Sequence, residues 1–344
     1  MYQRLPNGRL ESTAHTFGAG IVRQEGSSVE ILANVKDTYT SEKAGIVPKE
    51  AAEHHINCFD RIIRQALSDA KIRISDIDLI SFSQGPGLGP CLRIGAFVAR
   101  TLACALEKPI IGVNHCIAHL EIGRLATEAT DPVLLYASGA NTQIIAFEKG
   151  RYRIFGETLD MGIGNMIDTF ARYMGIGFPG GPKIYQLSLG GRKYIKLPYA
   201  VKGMDVSFSG ILTNIQQKYD SKKYSAEDLC YSLQETIFAM LVEVSERAIA
   251  HCGKNELVLG GGVACNKRLQ EMAQKMCADR KAKAYYPAHD LLVDNGTMIA
   301  WLGLLEHLSG VRMKISETGI RPYERTDDID AGWHSEKKEY FLKN

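Results

Sequence analysis

The feature that most constrains the fold of this 344-residue chain is a layout of strands and helices that occurs twice. Residues 12–35 and residues 134–159 both have the pattern of a β-meander with small residues at its tip. Each meander is followed by a helical segment, at about residues 50–70 and 165–174, and then by a strand, a glycine-rich loop and a helix. Two copies of this βββαβα arrangement predict an α/β protein of two related subdomains around a cleft.

Glycine-rich loops follow the last strand of each copy. The buried strand 77–83 leads into Gly85-Pro86-Gly87-Leu88-Gly89, and the strand 256–259 leads into Gly260-Gly261-Gly262. Glycine permits close backbone approach, and the N–H groups of the following helix attract phosphate. Neither loop matches the GxxxxGK[ST] or GxGxxG fingerprint. Each loop alone is therefore compatible with an ordinary tight turn, whereas their duplicated positions favour phosphate binding in the cleft.

Two histidines, His115 and His119, lie four residues apart in the apolar, helix-compatible segment 113–122. At this spacing both imidazoles project from one face of a helix. Together they can share one metal ion, but zinc or a transition metal needs at least one further protein ligand. The alternative is a pair of polar residues on a half-buried helix.

Two oxygen ligands for such a site are available elsewhere in the chain. Tyr136 ends a predicted strand just before the turn 138–141, and Asp294 precedes Gly296 and an apolar helix. Capping of that helix is the alternative role for Asp294. With the histidine pair, these residues would form an N₂O₂ ligand set with room for substrate oxygens. Such a set fits iron or zinc better than magnesium.

Other polar residues could line a pocket. Asp168 lies early in a predicted helix, where it could meet a ligand hydroxyl or amine, and interaction with the helix dipole is its alternative role. The segment 178–183 is rich in proline and glycine, which favours a loop over a pocket. The adjacent His54 and His55 point apart on a helix and are predicted to be surface or packing residues.

Composition limits the function classes. The net charge is only +2, so a nucleic-acid partner would require a local basic patch. Eight cysteines form no CxxC pair, which indicates buried thiols in a reducing compartment. The N-terminus has no apolar run, and no stretch reaches transmembrane length without charge. We therefore expect a soluble cytoplasmic protein with no membrane partner.

Six motifs resemble one known family. They are HCIAHLEI (115–122), SQGPGLGPCLR (83–93), GETLDMGIGN (156–165), GFPGGPK (177–183), VSFSG (206–210) and DNGTMIA (294–300). Together they resemble the tRNA threonylcarbamoyladenosine-forming transferases of the KEOPS complex, in their archaeal and eukaryotic form. The resemblance runs from about Glu11 to Trp333. It implies the actin-like ATPase fold (ASKHA, RNase H-like), in agreement with the duplicated layout.

This resemblance also implies an activity. It implies transfer of the threonylcarbamoyl group from threonylcarbamoyl-AMP to N6 of adenosine 37 in tRNAs that read ANN codons. An adenine nucleotide is then a moiety of the substrate. The metal would be iron, with zinc as the alternative. The expected partners are tRNA and the KEOPS subunits, including a separate small kinase or ATPase. The chain shows no obvious nucleophile or general base, so no catalytic residue is identified and direct attack by the adenine amine is the hypothesis.

The resemblance assigns site residues by motif matching. The implied metal ligands are His115, His119, Tyr136 and Asp294. The implied substrate contacts are Tyr136, Ala137, Ser138, Gly139, Ala140, Asp168, Gly181, Tyr185 and Asn266.

Three departures from the family pattern stand out. Residues 4–10 contain Pro6, Gly8 and two arginines, which suit a central strand badly, so an altered first half-sheet or a misassigned start is expected. Tyr185 replaces an acidic residue expected on a ribose hydroxyl. Ala140 replaces the second glycine of its turn, which could restrict the backbone where the ligand approaches.

We predict that residues 1–130 with 297–335 form the first subdomain, residues 131–296 the second, and residues 336–344 a charged tail. Two rival functions remain: a sugar- or acetate-kinase-like phosphotransferase of the same fold, which would not need the histidine pair, and a non-catalytic scaffold subunit. A metallopeptidase is disfavoured because HxxxH lacks the glutamate of HExxH.

Overall fold

The first half of the chain forms a sheet with helices on both faces. The computed structural model describes residues 5–41, 45–335 and 340–342. The elements of the first half are β1 (Leu5–Glu11), β2 (Thr16–Glu25), β3 (Ser28–Thr38), α1 (Pro48–Ala70), β4 (Leu79–Gly85), α2 (Gly89–Leu106), β5 (Ile110–Asn114) and α3 (His115–Ala126).

The second half repeats this order with extra helices inserted. Its elements are β6 (Val133–Ala137), β7 (Thr142–Glu148), β8 (Arg151–Glu157), α4 (Ile163–Tyr173), α5 (Gly181–Ser188), β9 (Val201–Lys202), β10 (Asp205–Val206), α6 (Ser209–Asp220), α7 (Ala226–Cys252), β11 (Glu256–Gly260), α8 (Lys267–Asp279), β12 (Lys283–Tyr285), α9 (His289–Leu292) and α10 (Gly296–Leu308). A last short strand, β13 (Phe341–Leu342), returns to β3.

The two main sheets have the same topology, which confirms the predicted duplication. Their strand orders are β13-β3-β2-β1-β4-β5 and β12-β11-β6-β7-β8. In each sheet an antiparallel meander is joined to two parallel strands. The parallel outer strands β5 and β12 extend the predicted layout by one strand in each copy. Within the predicted tail, residues 341–342 pair with β3, and residues 336–339 and 343–344 lie outside the described residues.

The expected misfit of the first strand is wrong for the described residues 5–10. β1 lies centrally, between β2 and β4. Pro6 is paired with Arg23 of β2, but the register with β4 starts only at Asn7, so the proline lies where β1 has one neighbour instead of two. A Cβ on Gly8 would lie 3.1 Å from the Ile77 side chain, so glycine suits this position.

Helices α3 and α10 lie between the two sheets and share one core with both. Apolar residues of α3 and α10 belong to the same buried cluster as Val22 and Leu79 of the first sheet and Leu134 and Val258 of the second. Helix α10 is buried from residue 296 to residue 306, which explains why its sequence is apolar on every face. The carboxyl end of β5, the start of α3 and the start of α10 are therefore brought together between the sheets.

Helix α2 is long and apolar enough to cross a membrane by length and composition alone. It packs against β4 and α1, and Leu92, Ala96 and Ala99 are completely buried there. In all, 39% of the helix is buried in the fold, and the core helix of a folded protein passes the same test of length and composition.

Candidate metal centre and the surrounding cleft

The histidine pair is positioned by the junction between β5 and α3. Asn114, the last residue of β5, caps the helix because its Oδ1 accepts hydrogen bonds from the N–H groups of Cys116 (3.0 Å) and Ile117 (3.2 Å). Helix α3 therefore starts at His115, and both histidines lie on one face. Their side chains are 5% and 0% exposed.

Asp294 faces the two histidines from the start of α10. The neighbouring Asn295 caps α10, since its Oδ1 accepts a hydrogen bond from the Met298 N–H at 3.0 Å. The alternative capping role of Asp294 is therefore wrong, and its carboxylate is free for other contacts. The Asp294 Oδ1 lies 3.3 Å from Nε2 of His115 and 3.3 Å from Nε2 of His119.

The geometry of these three side chains suits a metal ion. One ligand atom from each of His115, His119 and Asp294 lies within 4.8 Å of the others, and the group could hold an ion. Tyr136, at the end of β6, is 1% exposed, and its ring centroid lies 4.9 Å from that of His119. Two imidazoles, one carboxylate and one phenol thus come from three separate segments of the chain. This is a donor set that iron and zinc accept.

The charges at this point favour a cation. Burial opposes the charged form of His115, but the carboxylates of Glu11 and Asp294 outweigh it and raise the pKa of His115 to about 10. Burial would raise the pKa of Asp294, yet His115 and His119 hold it well below its usual value. Burial lowers the pKa of His119 and raises that of Tyr136. A metal ion would therefore replace a proton held between His115 and the two carboxylates.

Glu11 is a residue of this centre that the sequence analysis missed. It is fully buried at the end of β1, and its Oε2 lies 3.1 Å from Nδ1 of His115. Its Oε2 also accepts a hydrogen bond from the Ser83 hydroxyl at 2.9 Å. Strands β1, β4 and β5 are parallel, so their carboxyl ends meet at one edge of the sheet. Glu11, Ser83 and His115 all lie at that edge. The parallel register of the three strands was the signal that could have placed Glu11 beside the histidine pair.

The turn after Tyr136 rests on the start of α4. The N–H groups of Gly164 and Asn165 donate to the carbonyls of Ser138 (3.0 Å) and Gly139 (2.8 Å). Ala137 is completely buried, whereas Gly139 and Ala140 are not. Ala140 does not have a positive φ, so alanine fits this backbone without strain.

The second glycine loop touches this turn. Gly261 has φ +90°, and a Cβ there would lie 2.5 Å from the carbonyl oxygen of Ala137. Only glycine combines that conformation with so close an approach. The loop after β11 and the turn after β6 therefore lie in direct contact and form one continuous wall.

The first glycine loop packs against two other segments of the chain. Its Gly87 and Leu88 N–H groups donate to the carbonyls of Pro322 (3.1 Å) and Thr13 (2.7 Å). These two N–H groups are used in packing, and phosphate binding at the start of α2 stays a prediction.

Asp168 and Gly181 lie close together across the loop predicted over the pocket. The Asp168 Oδ1 accepts a hydrogen bond from the Gly180 N–H at 2.8 Å, and burial raises the pKa of this carboxyl. Gly181 starts α5, and a Cβ added to it would meet no atom within 4 Å. Tyr185 lies one turn further along α5 and is half-buried. Asp168 thus fixes the start of the helix that carries both other residues.

Asn266 caps α8 and is oriented by a residue that the sequence analysis did not single out. Its Oδ1 accepts a hydrogen bond from the Arg268 N–H at 2.9 Å, and its Nδ2 donates to Oε1 of Gln234. Gln234 is buried and in turn donates to the Ser188 hydroxyl. Among the residues that the structure describes, the other N–H of the Asn266 amide has no acceptor, so it is available to a ligand.

Comparison with known proteins identifies the family. The family model for tRNA N6-adenosine threonylcarbamoyltransferase, TsaD, matches residues 30–301. The chain is 59% identical over 324 residues to the tRNA N6-adenosine threonylcarbamoyltransferase of Thermococcus kodakarensis, with coverage of 94% of this chain and 98% of that protein. The chain belongs to the TsaD family. It is a transferase that acts in tRNA modification.

Other similarities agree with this assignment. The chain is 52% identical over 329 residues to a "Probable bifunctional tRNA threonylcarbamoyladenosine biosynthesis protein" of Methanocaldococcus jannaschii, covering 96% of this chain and 60% of that protein. HypF from T. kodakarensis matches with TM-score 0.60 at 14% identity, over 88% of this chain and 49% of HypF. Component A of an Acidaminococcus fermentans dehydratase matches with TM-score 0.51 at 13% identity, over 87% and 96%. The fold is that of the actin-like ASKHA proteins, which confirms the predicted fold class.

Proposed function

We propose that this TsaD-family protein transfers the threonylcarbamoyl group of threonylcarbamoyl-AMP to N6 of adenosine 37 in tRNAs that read ANN codons. The observation that carries the proposal is the convergence of the two Nε2 atoms of His115 and His119 on Oδ1 of Asp294, beside Tyr136. A phosphotransferase of the same fold or a scaffold subunit has no need of such a buried ligand set.

His115, His119, Tyr136 and Asp294 would hold one metal ion, with iron expected and zinc as the alternative. The ion, when bound, supplies Lewis-acid polarisation of the threonylcarbamoyl group. The residues themselves supply two neutral imidazole nitrogens and two oxygens. His115, His119 and Tyr136 are buried, and the Asp294 side chain is 15% exposed.

The adenylate would lie along the wall formed by residues 136–140 and the loop after β11. Asp168, Gly181, Tyr185 and Asn266 are the proposed contacts for its nucleoside and phosphate. A Cβ added to Gly181 would meet no atom within 4 Å, and one N–H of the Asn266 amide has no acceptor among the described residues, so both positions can accommodate a ligand. Ala137, Ser138, Gly139 and Ala140 would present their backbone to the acyl phosphate.

We infer direct attack by the adenine amine, with AMP as the leaving group. Cys116 is the thiol beside the histidine pair, but burial raises its pKa to about 12, so it is not a thiolate at neutral pH. Cys116 is therefore not a nucleophile that could form a covalent threonylcarbamoyl-enzyme.

The proposed partners are tRNA and KEOPS-type subunits, including a separate small kinase or ATPase, and the proposed compartment is the cytoplasm. We also propose residues 1–130 with 297–335, and residues 131–296, as the two subdomains that close around the ligands.

The test is reconstitution of tRNA modification from threonine, bicarbonate, ATP, partner subunits and tRNA. We compare the wild type with His119→Ala and with His251→Ala, an exposed histidine in the last turn of α7. We expect at least about 100-fold less modified adenosine with His119→Ala, because an essential ligand is lost, and wild-type amounts with His251→Ala. Undiminished modification by His119→Ala would contradict the metal role.

A further inference from the structure

We propose that Glu11 is a positioning residue that sets the tautomer of His115. By accepting the Nδ1 proton, Glu11 leaves Nε2 of His115 free to bind the ion. The inference rests on the metal centre of the proposed function, but it assigns a role to a residue that is not a ligand.

The Glu11 carboxylate is held by four contacts. Its Oε1 accepts hydrogen bonds from the Thr13 N–H (2.8 Å) and the Thr13 hydroxyl (2.5 Å). Its Oε2 accepts one from the Ser83 hydroxyl (2.9 Å) and lies 3.1 Å from the His115 Nδ1. With the carboxylate fully buried and both oxygens engaged, its position relative to the imidazole is fixed.

An ionised carboxylate can only accept hydrogen bonds. The Thr13 hydroxyl also lies 3.3 Å from Nδ1 of His115, but it donates its one proton to Oε1 of Glu11 and can only accept from Nδ1. Nδ1 of His115 must therefore carry the proton in its contacts with Glu11 and Thr13. In the ion-bound protein the imidazole of His115 is neutral, so only one nitrogen carries a proton. Glu11 keeps that proton on Nδ1, and the ion takes the place of the proton on Nε2. That nitrogen lies 3.3 Å from Asp294 Oδ1, on the side of the proposed ion.

The second histidine has no such support. Nδ1 of His119 is buried and has no hydrogen-bond partner among the residues that the structure describes. Its tautomer is therefore not set by a neighbouring acceptor. The pair is asymmetric, with His115 as the ligand that the protein orients in advance.

The decisive variant is Glu11→Gln. The two donors of Thr13 will hold the amide oxygen in the place of Oε1, so the amide nitrogen will face Ser83 and His115. It then donates to Nδ1 and moves the imidazole proton to Nε2, where it blocks metal binding. Loss of such carboxylate support typically costs about 10–100-fold in metal affinity. We expect a loss of this size for Glu11→Gln, and a smaller loss for Glu11→Ala, which removes the acceptor without imposing the wrong tautomer.

The assay is the Zn²⁺ dissociation constant of the full chain, measured by competition with a chromophoric chelator. Circular dichroism of the metal-free proteins checks that the variants are folded. Glu53→Gln is the matched control, because it makes the same carboxylate-to-amide change on a side chain of α1 that is 57% exposed. We expect Glu53→Gln to bind Zn²⁺ with wild-type affinity.

Zn²⁺ binding by Glu11→Gln at wild-type affinity would overturn the proposal, and so would a loss no larger than that of Glu11→Ala. A second measurement needs no variant: ¹⁵N side-chain spectra of the zinc-loaded wild type should show His115 protonated at Nδ1, and protonation at Nε2 overturns the proposal. If His119→Ala loses Zn²⁺ while Glu11→Gln retains it, the inference fails alone. If His119→Ala retains both Zn²⁺ and activity, the proposed function fails.

Discussion

The contact between β2 and α10 yields a quantitative prediction for Gly20→Ala. A Cβ on Gly20 would lie 2.3 Å from the carbonyl carbon of Gly296 and 2.3 Å from the nitrogen of Thr297. Both atoms are backbone, so no side-chain rotation relieves the clash. Ordinary contact begins at 3.4 Å, so the start of α10 must retreat by about 1 Å. Asp294 lies two residues before Gly296 and must move with it.

We expect two consequences of this substitution. Overpacking of this kind typically costs about 1–3 kcal/mol, and the rigid backbone contact places Gly20→Ala at the upper end, about 2–3 kcal/mol. The Zn²⁺ affinity should fall as well, because a shift of about 1 Å takes the Asp294 oxygen away from the two Nε2 atoms. Urea unfolding of the metal-free protein measures the first effect, and chelator competition measures the second.

Gly210→Ala is the matched control. Gly210 lies in α6, where an added Cβ meets no atom within 4 Å. Alanine there should leave the Zn²⁺ affinity unchanged and stabilise the helix by up to about 1 kcal/mol. If Gly20→Ala unfolds at the wild-type urea concentration and binds Zn²⁺ with wild-type affinity, the argument from this contact is refuted.

Three further predictions concern stability. Burial in α1 lowers the pKa of His55 to about 4, so on acidification the unfolded state binds a proton at this residue first. The contribution of His55 to the unfolding free energy should be constant above pH 6.5 and fall by about 3 kcal/mol towards pH 4. His55→Met should weaken this pH dependence in urea titrations, and an unchanged slope would show that other groups cause it. Glu121→Ala removes the buried carboxylate whose Oε2 lies 3.0 Å from Arg124 Nη1. It should lower the unfolding free energy by about 3–5 kcal/mol, and a decrease below about 1 kcal/mol would contradict this. Asn295→Ala removes the side chain that caps α10, so it should lower the unfolding free energy by about 1–2 kcal/mol in the same urea titrations. An unfolding free energy equal to that of the wild type would show that the cap contributes nothing.

Much of the fold could be predicted because the hydrophobic pattern repeats. The meanders, the long helices and the strand–loop–helix units follow from local periodicity. The outer strand β5 could not, because its five buried residues run directly into the apolar helix α3. Strand β12 has only three residues, too few for a period to be seen. The misfit predicted from Pro6 was wrong because a proline is acceptable where β1 has only one neighbouring strand. That position follows from the register between β1 and β4, which is a property of the whole sheet.

The site could be predicted where its residues lie within one sequence motif. The spacing of His115 and His119 on one helix is local information. The role of Glu11 is not local, since it depends on the parallel pairing of β1, β4 and β5 across 104 residues of sequence. The hydrogen bond from the Gly87 N–H to the Pro322 carbonyl is equally non-local, so the sequence alone could not predict it.

The central claim is that one metal ion is held between α3, β6 and the start of α10. Its most direct test is anomalous diffraction at the iron and zinc edges from crystals of metal-loaded, active protein. The account predicts one strong peak within bonding distance of Nε2 of His115, Nε2 of His119, the hydroxyl of Tyr136 and a carboxylate oxygen of Asp294. Active protein whose anomalous map shows no peak there, or shows its only peak elsewhere, would contradict the account.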